Sequence, residues 1–382
     1  MIGIIFLSSL KRIIKGIFIL VTIFLLSGFS SQKPIIVDTD MAVDDWGAIL
    51  YLVNHPQADI RAITVTGVGE AHCQPGTRNA LNLLKLAGVE EGDITVACGD
   101  EEPSDGYREF PLEWRDAVDS LEGIKIPNNP QKPYPQDAVD LIITILENSD
   151  KPVNILALGP LTNLAELLET NEAIANKINR IYIMGGAVRV KGNIIVPGFT
   201  DDLKNEVAEL NIYVDPIAAQ KVFRSNVPIT LIPLDATNYV PVTKDFTNKL
   251  KQNATTEEAK FISQVFDKIQ PMLDSGKYYF WDAVAAATMI NKDFCNYENL
   301  KLDVIVDYTD DEDSIRDLPS FSQILENGKM RRQLDPYKSG QTIISENGKA
   351  IEVCTKVNRE RFNDDFIQII NRIAIAFGLR NF

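Results

Sequence analysis

The sequence predicts an α/β protein with a mainly parallel sheet that is covered by helices on both faces. Short apolar runs rich in Ile, Val and Leu alternate with amphipathic runs along the chain, which is typical of buried strands connected by helices. The chain has 382 residues and 45% hydrophobic content, enough to form one large core. In folds of this class, ligands bind at the carboxyl ends of the strands.

The predicted strands and helices follow one another in a regular order. The first strand begins at Pro34 and leads into a helix that starts near Trp46. The other predicted strands are Asp59 to Thr66, Ile94 to Cys98, Val153 to Leu158, Arg180 to Met184 and Pro228 to Leu234. The predicted later helices are Gly76 to Leu86, Asp137 to Leu146, Leu161 to Leu168, Pro216 to Phe223, Glu257 to Ile269 and Asp282 to Ile290. Together these elements predict a single domain over residues 34–382.

Residues 1–30 are predicted to lie outside this domain. Three basic residues between Lys11 and Lys15 precede an apolar run from Gly16 to Leu26, and small residues follow that run. This order predicts a signal peptide, and therefore an exported protein that is periplasmic or extracellular. The alternative is an uncleaved N-terminal membrane anchor, because Ile4 to Leu10 extends the apolar stretch.

The charge and the cysteines exclude several classes of function. The net charge is −15, so a nucleic-acid partner would be repelled. The four cysteines lie far apart and form no Cys-x-x-Cys pair, which predicts neither a zinc site nor a redox motif. Export would permit disulfides, but none is predicted, and Cys73 is expected to be a small buried residue rather than a nucleophile.

Four aspartates within eight residues form the most informative motif of the chain. Strand alternation directs Asp38 and Asp40 to the same side, and Asp44 and Asp45 occupy the first turn of the following helix. The four carboxylates would repel one another beside apolar sequence unless a cation offset their charge. Ligation by oxygen alone favours calcium or magnesium over zinc. A solvated acidic loop is the alternative, but such loops are seldom bracketed by a buried strand and a core helix.

At this motif the chain resembles the calcium-dependent nucleoside hydrolases, whose signature is Asp-x-Asp-x-x-x-Asp-Asp after the first strand. Further segments match that family in the same order, namely Thr77 to Ala80, Ala157 to Asn163, Met184 to Gly186, Gly192-Asn193, Ala208 to Asn211, Asp215-Pro216 and Trp281-Asp282. The resemblance extends from Pro34 to Asn291. It implies a single Rossmann-like domain with a mixed sheet, hydrolysis of the N-ribosidic bond of nucleosides, bound Ca²⁺ and a homodimer or homotetramer.

The resemblance also assigns roles to individual residues. The groups that would hold calcium are Asp40, Asp45, Asp282 and the main-chain carbonyl of Leu158. Asp44 would be the general base that activates a water molecule at the metal. Asp38 would help to hold these residues in place without binding the metal itself.

Asn193, Glu209 and Asn211 would form a polar cradle for the ribose hydroxyls. Glu209 and Asn211 are two residues apart, so an extended segment is predicted to direct both side chains the same way. Glu70 stands where the family usually has Asn, and it is a candidate contact to the ribose or to Asp44. Extra residues between Asn193 and Glu209 predict a loop over the site.

Trp281 stands where many non-specific members of the family have the His that is proposed to protonate the leaving base. The Trp-Asp pair resembles the purine-preferring branch, in which the indole stacks on the base, and stacking contributes about 1–3 kcal/mol per base. The alternative is a core aromatic residue beside Tyr278, Tyr279 and Phe280. His72 is a candidate for the missing proton donor, because His titrates near neutral pH; the alternative is a solvated loop residue.

Two functions of different classes are compatible with these residues. The first is an exported, calcium-dependent hydrolase that cleaves nucleosides, preferentially purine nucleosides, to ribose and the free base. The second is a non-catalytic, calcium-dependent protein of the same fold that binds ribosides. Asp44 favours the enzyme, because a binding protein has no use for a base beside bound water.

Overall fold

The computed structural model describes residues 33–104, 110–201, 203–309, 325–326, 329–330, 333–335 and 337–372. The predicted signal peptide, residues 1–30, lies outside the described residues. From Pro34 onward the chain forms one compact unit. Within the described ranges, no helix is both long enough and apolar enough to cross a membrane.

The strands lie along the whole described chain. They are β1 (Pro34–Thr39), β2 (Asp59–Val65), β3 (Thr95–Cys98), β4 (Val153–Ala157), β5 (Ile178–Met184), β6 (Ile229–Ile232), β7 (Cys295–Val304), β8 (Tyr308–Thr309), β9 (Leu325–Glu326), β10 (Lys329–Met330), β11 (Gln333–Leu334), β12 (Thr342–Ile344) and β13 (Lys349–Val357).

The helices fill most of the intervals between these strands. They are α1 (Val43–Asn54), α2 (Cys73–Leu86), α3 (Leu112–Asp119), α4 (Ala138–Asn148), α5 (Thr162–Thr170), α6 (Leu210–Val214), α7 (Pro216–Arg224), α8 (Leu234–Thr237), α9 (Lys244–Asn253), α10 (Glu257–Lys268), α11 (Gln270–Asp274), α12 (Trp281–Ile290) and α13 (Arg359–Ile370). Short 3₁₀ turns occur at Leu121–Gly123, Glu172–Lys177 and Lys292–Phe294.

Nine strands form one mixed sheet in the order β12-β7-β13-β6-β5-β4-β1-β2-β3. Strands β1 to β6 and β13 run parallel, whereas β7 is antiparallel to both of its neighbours, β13 and β12. The remaining short strands pair as β8 with β11 and β9 with β10. The predicted α/β class and mainly parallel sheet are confirmed. The strand order reverses between β1 and β4, which is the place where such sheets leave a crevice for a ligand.

Two apolar layers pack on opposite faces of the sheet. Successive residues of β1 point to opposite faces. Ile35 and Val37 belong to the layer that contains Trp46 of α1, whereas Ile36 belongs to the layer that contains Ile142 of α4. Helices therefore cover both faces, as the sequence predicts.

The sequence does not predict β7, β12 and β13, which complete one side of the sheet. Most residues of β7 are partly or fully exposed, so this strand lacks the continuous apolar run that identifies the inner strands. Leu234, predicted as the last residue of a strand, is instead the first residue of α8. Pro233 comes between β6 and α8, and its ring and missing N–H cannot continue a ladder of sheet hydrogen bonds.

The expectation that no disulfide forms is wrong. Cys73 at the start of α2 is bonded to Cys98 at the end of β3, with 5.6 Å between their Cα atoms, and Cys295 of β7 is bonded to Cys354 of β13, with 5.8 Å. The partners are 25 and 59 residues apart in sequence, so only the packing of the elements brings them together. Cys73 is consequently a half-buried disulfide partner rather than a small core residue.

Candidate active site

The aspartate motif lies at the carboxyl end of β1, at the point where the strand order reverses. Asp44 and Asp45 are in the first turn of α1, and Asp282 is in the first turn of α12, which packs against α1. One carboxylate oxygen from each of these three residues lies within 4.8 Å of the other two. The fold therefore brings two motifs that are far apart in sequence into one cluster. We call Asp44, Asp45 and Asp282 the aspartate group.

A residue with a left-handed backbone conformation makes the sharp turn between β1 and α1. Met41 has a φ of 58°, a backbone region that residues other than glycine seldom adopt, and such strain is commonly found at functional sites. Two hydrogen bonds hold it in place: its N–H donates to Oγ1 of Thr39 at 2.9 Å, and its carbonyl accepts from Nε1 of Trp46 at 2.9 Å. This turn places the end of the strand beside the start of the helix.

Asp40 lies beside the aspartate group, between two glycines. A Cβ atom added at Gly69 would lie 2.0 Å from Cβ of Asp40, and one added at Gly159 would lie 2.7 Å from it. The carboxylate accepts hydrogen bonds from the N–H of Glu70 at 3.2 Å and of Ala42 at 3.4 Å. Its position is therefore set by the loops that follow β2 and β4.

Two oxygens of the aspartate group are buried without a hydrogen-bond partner among the described residues, namely Oδ2 of Asp45 and Oδ1 of Asp282. Oδ1 of Asp45 accepts from the hydroxyl of Thr39. Buried polar atoms are normally paired, so these two oxygens are available to ligate a cation.

Burial strongly perturbs the titration of these carboxyls. It raises the pKa of Asp44 to about 7, with a further contribution from the charge of Asp40. It also raises the pKa values of Asp45 and Asp282 well above the usual range, helped by the neighbouring carboxylates. A cation would offset this repulsion. Because every atom available to ligate a metal here is an oxygen, the residues fit a hard divalent ion such as calcium.

Asp38 is hydrogen-bonded to residues of β2 and of the two segments that follow β4. Its Oδ1 accepts hydrogen bonds from Oγ1 of Thr64 at 2.6 Å and from Nδ2 of Asn163 at 2.8 Å. Its carbonyl accepts from the N–H of Leu158 at 2.8 Å. Asp38 thus connects the end of β1 to the segment after β4, which carries the carbonyl assigned to the metal.

The prediction of an extended segment at Glu209 and Asn211 is wrong. Glu209 is the N-cap of α6, and its carboxylate accepts from the N–H groups of Asn211 at 2.9 Å, Ile212 at 3.2 Å and Gly186 at 3.0 Å. A carboxylate that caps free N–H groups stabilises a helix start, and this short helix carries Asn211 in its first turn. Burial raises the pKa of Glu209 to about 7.

The structure nevertheless brings the predicted ribose residues together. Nδ2 of Asn211 donates to the carbonyl of Leu158 at 3.0 Å, and Oδ1 of Asn193 accepts from the N–H of Leu210 at 2.9 Å. Asn193, Asn211 and Glu209 therefore lie around one end of α6, next to the segment that follows β4. This arrangement is a cradle of amide and carboxylate groups.

The extra segment between Asn193 and Glu209 is fastened at its base. The N–H of Gly192 donates to the carbonyl of Glu206 at 2.8 Å, and that of Asn193 to the carbonyl of Ala208 at 3.2 Å. Farther along, the ring of Phe199 lies 5.5 Å from that of Trp114 on α3, centroid to centroid. The segment therefore contacts α3 instead of standing alone in solvent.

Trp281 is half-buried at the start of α12 and packs against two tyrosines. Its ring centroid lies 5.0 Å from that of Tyr278, edge to face, and 5.6 Å from that of Tyr279. Its Nε1 is buried and has no hydrogen-bond partner in the described chain. The sequence carries no signal that assigns Tyr278 to the site. Yet burial, together with the charges of Asp44 and Glu70, raises the pKa of its hydroxyl, so the hydroxyl is close to the aspartate group.

Glu70 and His72 lie on the same loop but face different surroundings. Burial raises the pKa of Glu70, and the charges of Asp40 and Asp44 add to this effect, so its carboxyl is near the aspartate group. Nδ1 of His72 lies 2.6 Å from Oδ2 of Asp119, at the end of α3. Its ring lines a separate open pocket, together with Glu101, and the structure does not bring it into the aspartate group.

The similarity to known proteins agrees with this geometry. The model of the family described as inosine-uridine preferring nucleoside hydrolase matches residues 35–364. Uridine nucleosidase 1 of Arabidopsis thaliana is 32% identical over 271 residues, which are 70% of this chain and 76% of the plant protein. The non-specific ribonucleoside hydrolase RihC of Salmonella paratyphi A is 36% identical over 243 residues, which are 62% of this chain and 72% of that protein.

A solved structure supports the same assignment. The purine-preferring ribonucleoside hydrolase from Gardnerella vaginalis has a TM-score of 0.69 and 25% identity, covering 89% of this chain and 98% of that one. The region that the family model matches, residues 35–364, contains the aspartate motif, the ribose cradle and Asp282. The chain belongs to the inosine-uridine preferring nucleoside hydrolases, which are hydrolases of N-glycosyl bonds.

Proposed function

We propose that this protein is an exported, calcium-dependent nucleoside hydrolase that prefers purine nucleosides. The observation that carries the proposal is the convergence of Asp44, Asp45 and Asp282, whose carboxylate oxygens lie within 4.8 Å of one another. Carboxylates so close together need a cation, and an all-oxygen site suits calcium. The groups that would hold the ion are Asp40, Asp45, Asp282 and the carbonyl of Leu158.

When bound, calcium would orient the sugar hydroxyls and make a water molecule in the site more acidic. Asp44 is half-buried at the start of α1, and its carboxylate accepts the proton that this water loses as it attacks C1′. Cleavage of the bond from C1′ to the base nitrogen leaves positive charge on the ribose ring. The surrounding carboxylates stabilise that charge, since charges interact more strongly where water is excluded.

The ribose is held by Asn193, Glu209 and Asn211. These groups are fixed by the start of α6 and by the segment after β4, so they are already oriented before a substrate arrives. Fixed donors and acceptors place C1′ against the water without a large loss of side-chain freedom.

The preference for purines is supported by Trp281. Its indole lies next to Asp282 and is held edge to face by Tyr278. A large flat base offers more stacking area to an indole than a pyrimidine does, and about 1–3 kcal/mol is available from such a contact. The related proteins include a uridine nucleosidase, a non-specific hydrolase and a purine-preferring hydrolase, and rates on a panel of nucleosides distinguish these three preferences.

Export is supported by the cysteines as well as by the predicted signal peptide. All four cysteines are in disulfides, and structural disulfides persist in oxidising compartments but are rare in the cytosol. The family resemblance supports a homodimer or homotetramer, which light scattering on the purified protein would measure.

A panel of nucleosides tests the proposal directly. Inosine, adenosine, guanosine, uridine and cytidine are incubated with the purified protein, in calcium and in the presence of a chelator. We expect the purine nucleosides to have the largest kcat/KM, and we expect the chelator to abolish release of the base until calcium is restored. Faster hydrolysis of uridine would contradict the purine preference, and full activity in chelator would contradict the calcium requirement.

A further inference from the structure

We propose that Arg115 of α3 is a positioning residue for the aspartate group, because it fixes the loop after β2 that holds Asp40. The inference rests on the proposed calcium dependence, since Asp40 is one of the residues assigned to the ion. Arg115 is far from the motif in sequence and on a helix that carries none of the site residues identified from the sequence.

Arg115 carries a buried charge that donates to backbone carbonyls through Nη2, whereas its Nε is buried without a hydrogen-bond partner among the described residues. The residue is only 5% exposed. Nη2 donates to the carbonyl of Gly67 at 2.7 Å and, at the longer distance of 3.5 Å, to that of Ala71. Removing a guanidinium from water costs free energy, and an unpaired buried N–H adds to that cost. A position with no role beyond packing would be filled more simply by an apolar side chain.

The loop to which Arg115 donates hydrogen bonds is in direct contact with Asp40. The N–H of Glu70 donates to Oδ2 of Asp40 at 3.2 Å, and the N–H of Ala71 donates to its carbonyl at 2.9 Å. At Gly69 there is no room for even a Cβ atom, which would lie 2.0 Å from Cβ of Asp40. A shift of this loop would therefore displace the Asp40 carboxylate.

Helix α3 is itself anchored, so it can serve as a fixed support. Nδ2 of Asn79 on α2 donates to the carbonyls of Val118 and Asp119 at 3.0 and 3.1 Å. Oδ1 of Asp119 accepts from the N–H of His72 at 2.9 Å. Helix α3 thus holds the loop at both ends, through Arg115 at Gly67 and through Asp119 at His72.

Two substitutions and one matched control test this role. Arg115→Met removes the charge and the donors, and Arg115→Lys keeps the charge on a shorter side chain that does not place a nitrogen where Nη2 contacts the carbonyls of Gly67 and Ala71. The control is Arg78→Met, because Arg78 also donates from a guanidinium to backbone carbonyls, those of Asn129 at 3.1 Å and Gln131 at 3.5 Å, but on another loop. The readouts are calcium affinity by isothermal titration, kcat and KM for the best nucleoside, and unfolding in chelator.

We expect Arg115→Met to weaken calcium binding by about 10–100-fold, as is usual when a residue that orients a metal ligand is lost, and to lower kcat more than it raises KM. Arg115→Lys should fall between this variant and the wild type. Arg78→Met should lower stability without changing calcium affinity. Wild-type calcium affinity and kcat in Arg115→Met, together with reduced stability, would overturn the inference.

Two further outcomes are also decisive. If Arg115→Met does not fold, Arg115→Lys takes its place, and unchanged calcium affinity and kcat in that variant would overturn the inference. If the wild type binds no calcium, the proposed cofactor is wrong, and the role of Arg115 then depends on kcat alone, which must fall in Arg115→Lys and not in Arg78→Met.

Discussion

The hydroxyl of Thr39 donates a hydrogen bond to Oδ1 of Asp45, and this contact fixes how the Asp45 carboxylate faces the other aspartates. Oδ2 of Asp45 is buried and has no hydrogen-bond partner within the described ranges. Such an orphaned oxygen is unusual in a folded protein and suits a metal ligand. The hydroxyl of Thr39 orients the carboxylate in the way that neighbouring groups commonly orient metal ligands.

The Asp45→Asn variant should bind calcium at least about 10–100-fold more weakly than the wild type. The amide removes one negative charge and replaces one of the two carboxylate oxygens with a nitrogen that cannot ligate. Isothermal titration with calcium measures the change. Asp365→Asn is the matched control, because Asp365 is a partly buried carboxylate that accepts from Tyr51 and lies on α13. Equal affinities for wild type and Asp45→Asn would remove Asp45 from the metal site.

The Asp44→Asn variant should separate chemistry from binding. An amide cannot accept the proton of the attacking water, so kcat should fall by several orders of magnitude while a ribose-containing inhibitor still binds. Single-turnover kinetics and inhibitor titration measure the two effects. Turnover close to that of the wild type would mean that another group is the base.

The Trp281→Ala variant tests how the leaving base is held. Loss of stacking should remove about 1–3 kcal/mol, or roughly 10–100-fold in kcat/KM, for purine nucleosides. A p-nitrophenyl riboside loses its leaving group as a stable anion without ring protonation, so its kcat should fall much less than that of inosine.

The control for this prediction is Trp281→Phe, which keeps an aromatic face in the same place and should retain most of the activity. Equal losses of kcat on inosine and on the p-nitrophenyl riboside would show instead that Trp281 only packs against Tyr278 and Tyr279. The purine preference would then need another explanation.

Replacement of both Cys295 and Cys354 by Ala should destabilise the fold by about 2–5 kcal/mol, because their disulfide restricts the unfolded chain. The bond joins β7 to β13 at the side of the sheet away from β1, so kcat of the folded variant should be unchanged. Urea unfolding and steady-state kinetics measure the two quantities. If the variant is fully folded but has a lower kcat than the wild type, the prediction that this disulfide does not affect the active site is wrong.

The Glu166→Gln variant should make stability less dependent on pH. Burial, the charge of Asp100 and a hydrogen bond with it raise the pKa of Glu166 from 4.5 to about 7. The folded state therefore holds a proton that the unfolded state has already lost between these two pH values. Stability falls as pH rises through this window, and the loss is complete above the folded pKa.

We expect Glu166→Gln to be more stable than the wild type above pH 7 and similar to it near pH 4.5, the two limits that the pKa shift sets. Urea unfolding across this range, with chelator present throughout, measures the difference. Glu147→Gln on α4 serves as an exposed control. If the free energy of unfolding of Glu166→Gln depends on pH in the same way as that of the wild type, Glu166 is not the group that makes stability depend on pH.

The parts of the site that the sequence could predict are those that depend on local geometry. Asp44 and Asp45 follow a strand and begin a helix, so their place in a first turn could be derived from pattern alone. Asp282 reaches Asp44 and Asp45 only through the packing of α12 against α1, and the segment that carries the carbonyl of Leu158 lies beside Asp38 only through the order of β1 and β4. No periodicity encodes such contacts, and only the family resemblance pointed to these residues.

The errors have equally specific causes. Glu209 and Asn211 were predicted to be extended because α6 has only five residues, too few for a helical period to be visible. The sequence gives Tyr278 no role, because a run of aromatic residues does not indicate which hydroxyl lies near the carboxylates of another segment. The two disulfides join cysteines without any local spacing motif, so they depended entirely on the register of the sheet.

The loop after β2 has a consequence for the thermodynamics of ligand binding. Its end is bonded covalently to β3 through Cys73 and Cys98, and Arg115 and Asp119 hold it from α3. The conformational entropy of this loop is therefore lost when the chain folds and oxidises, before any ligand arrives. The proposed calcium ion and a nucleoside would then bind to a surface with little conformational freedom left to lose, which favours tight association and fast turnover.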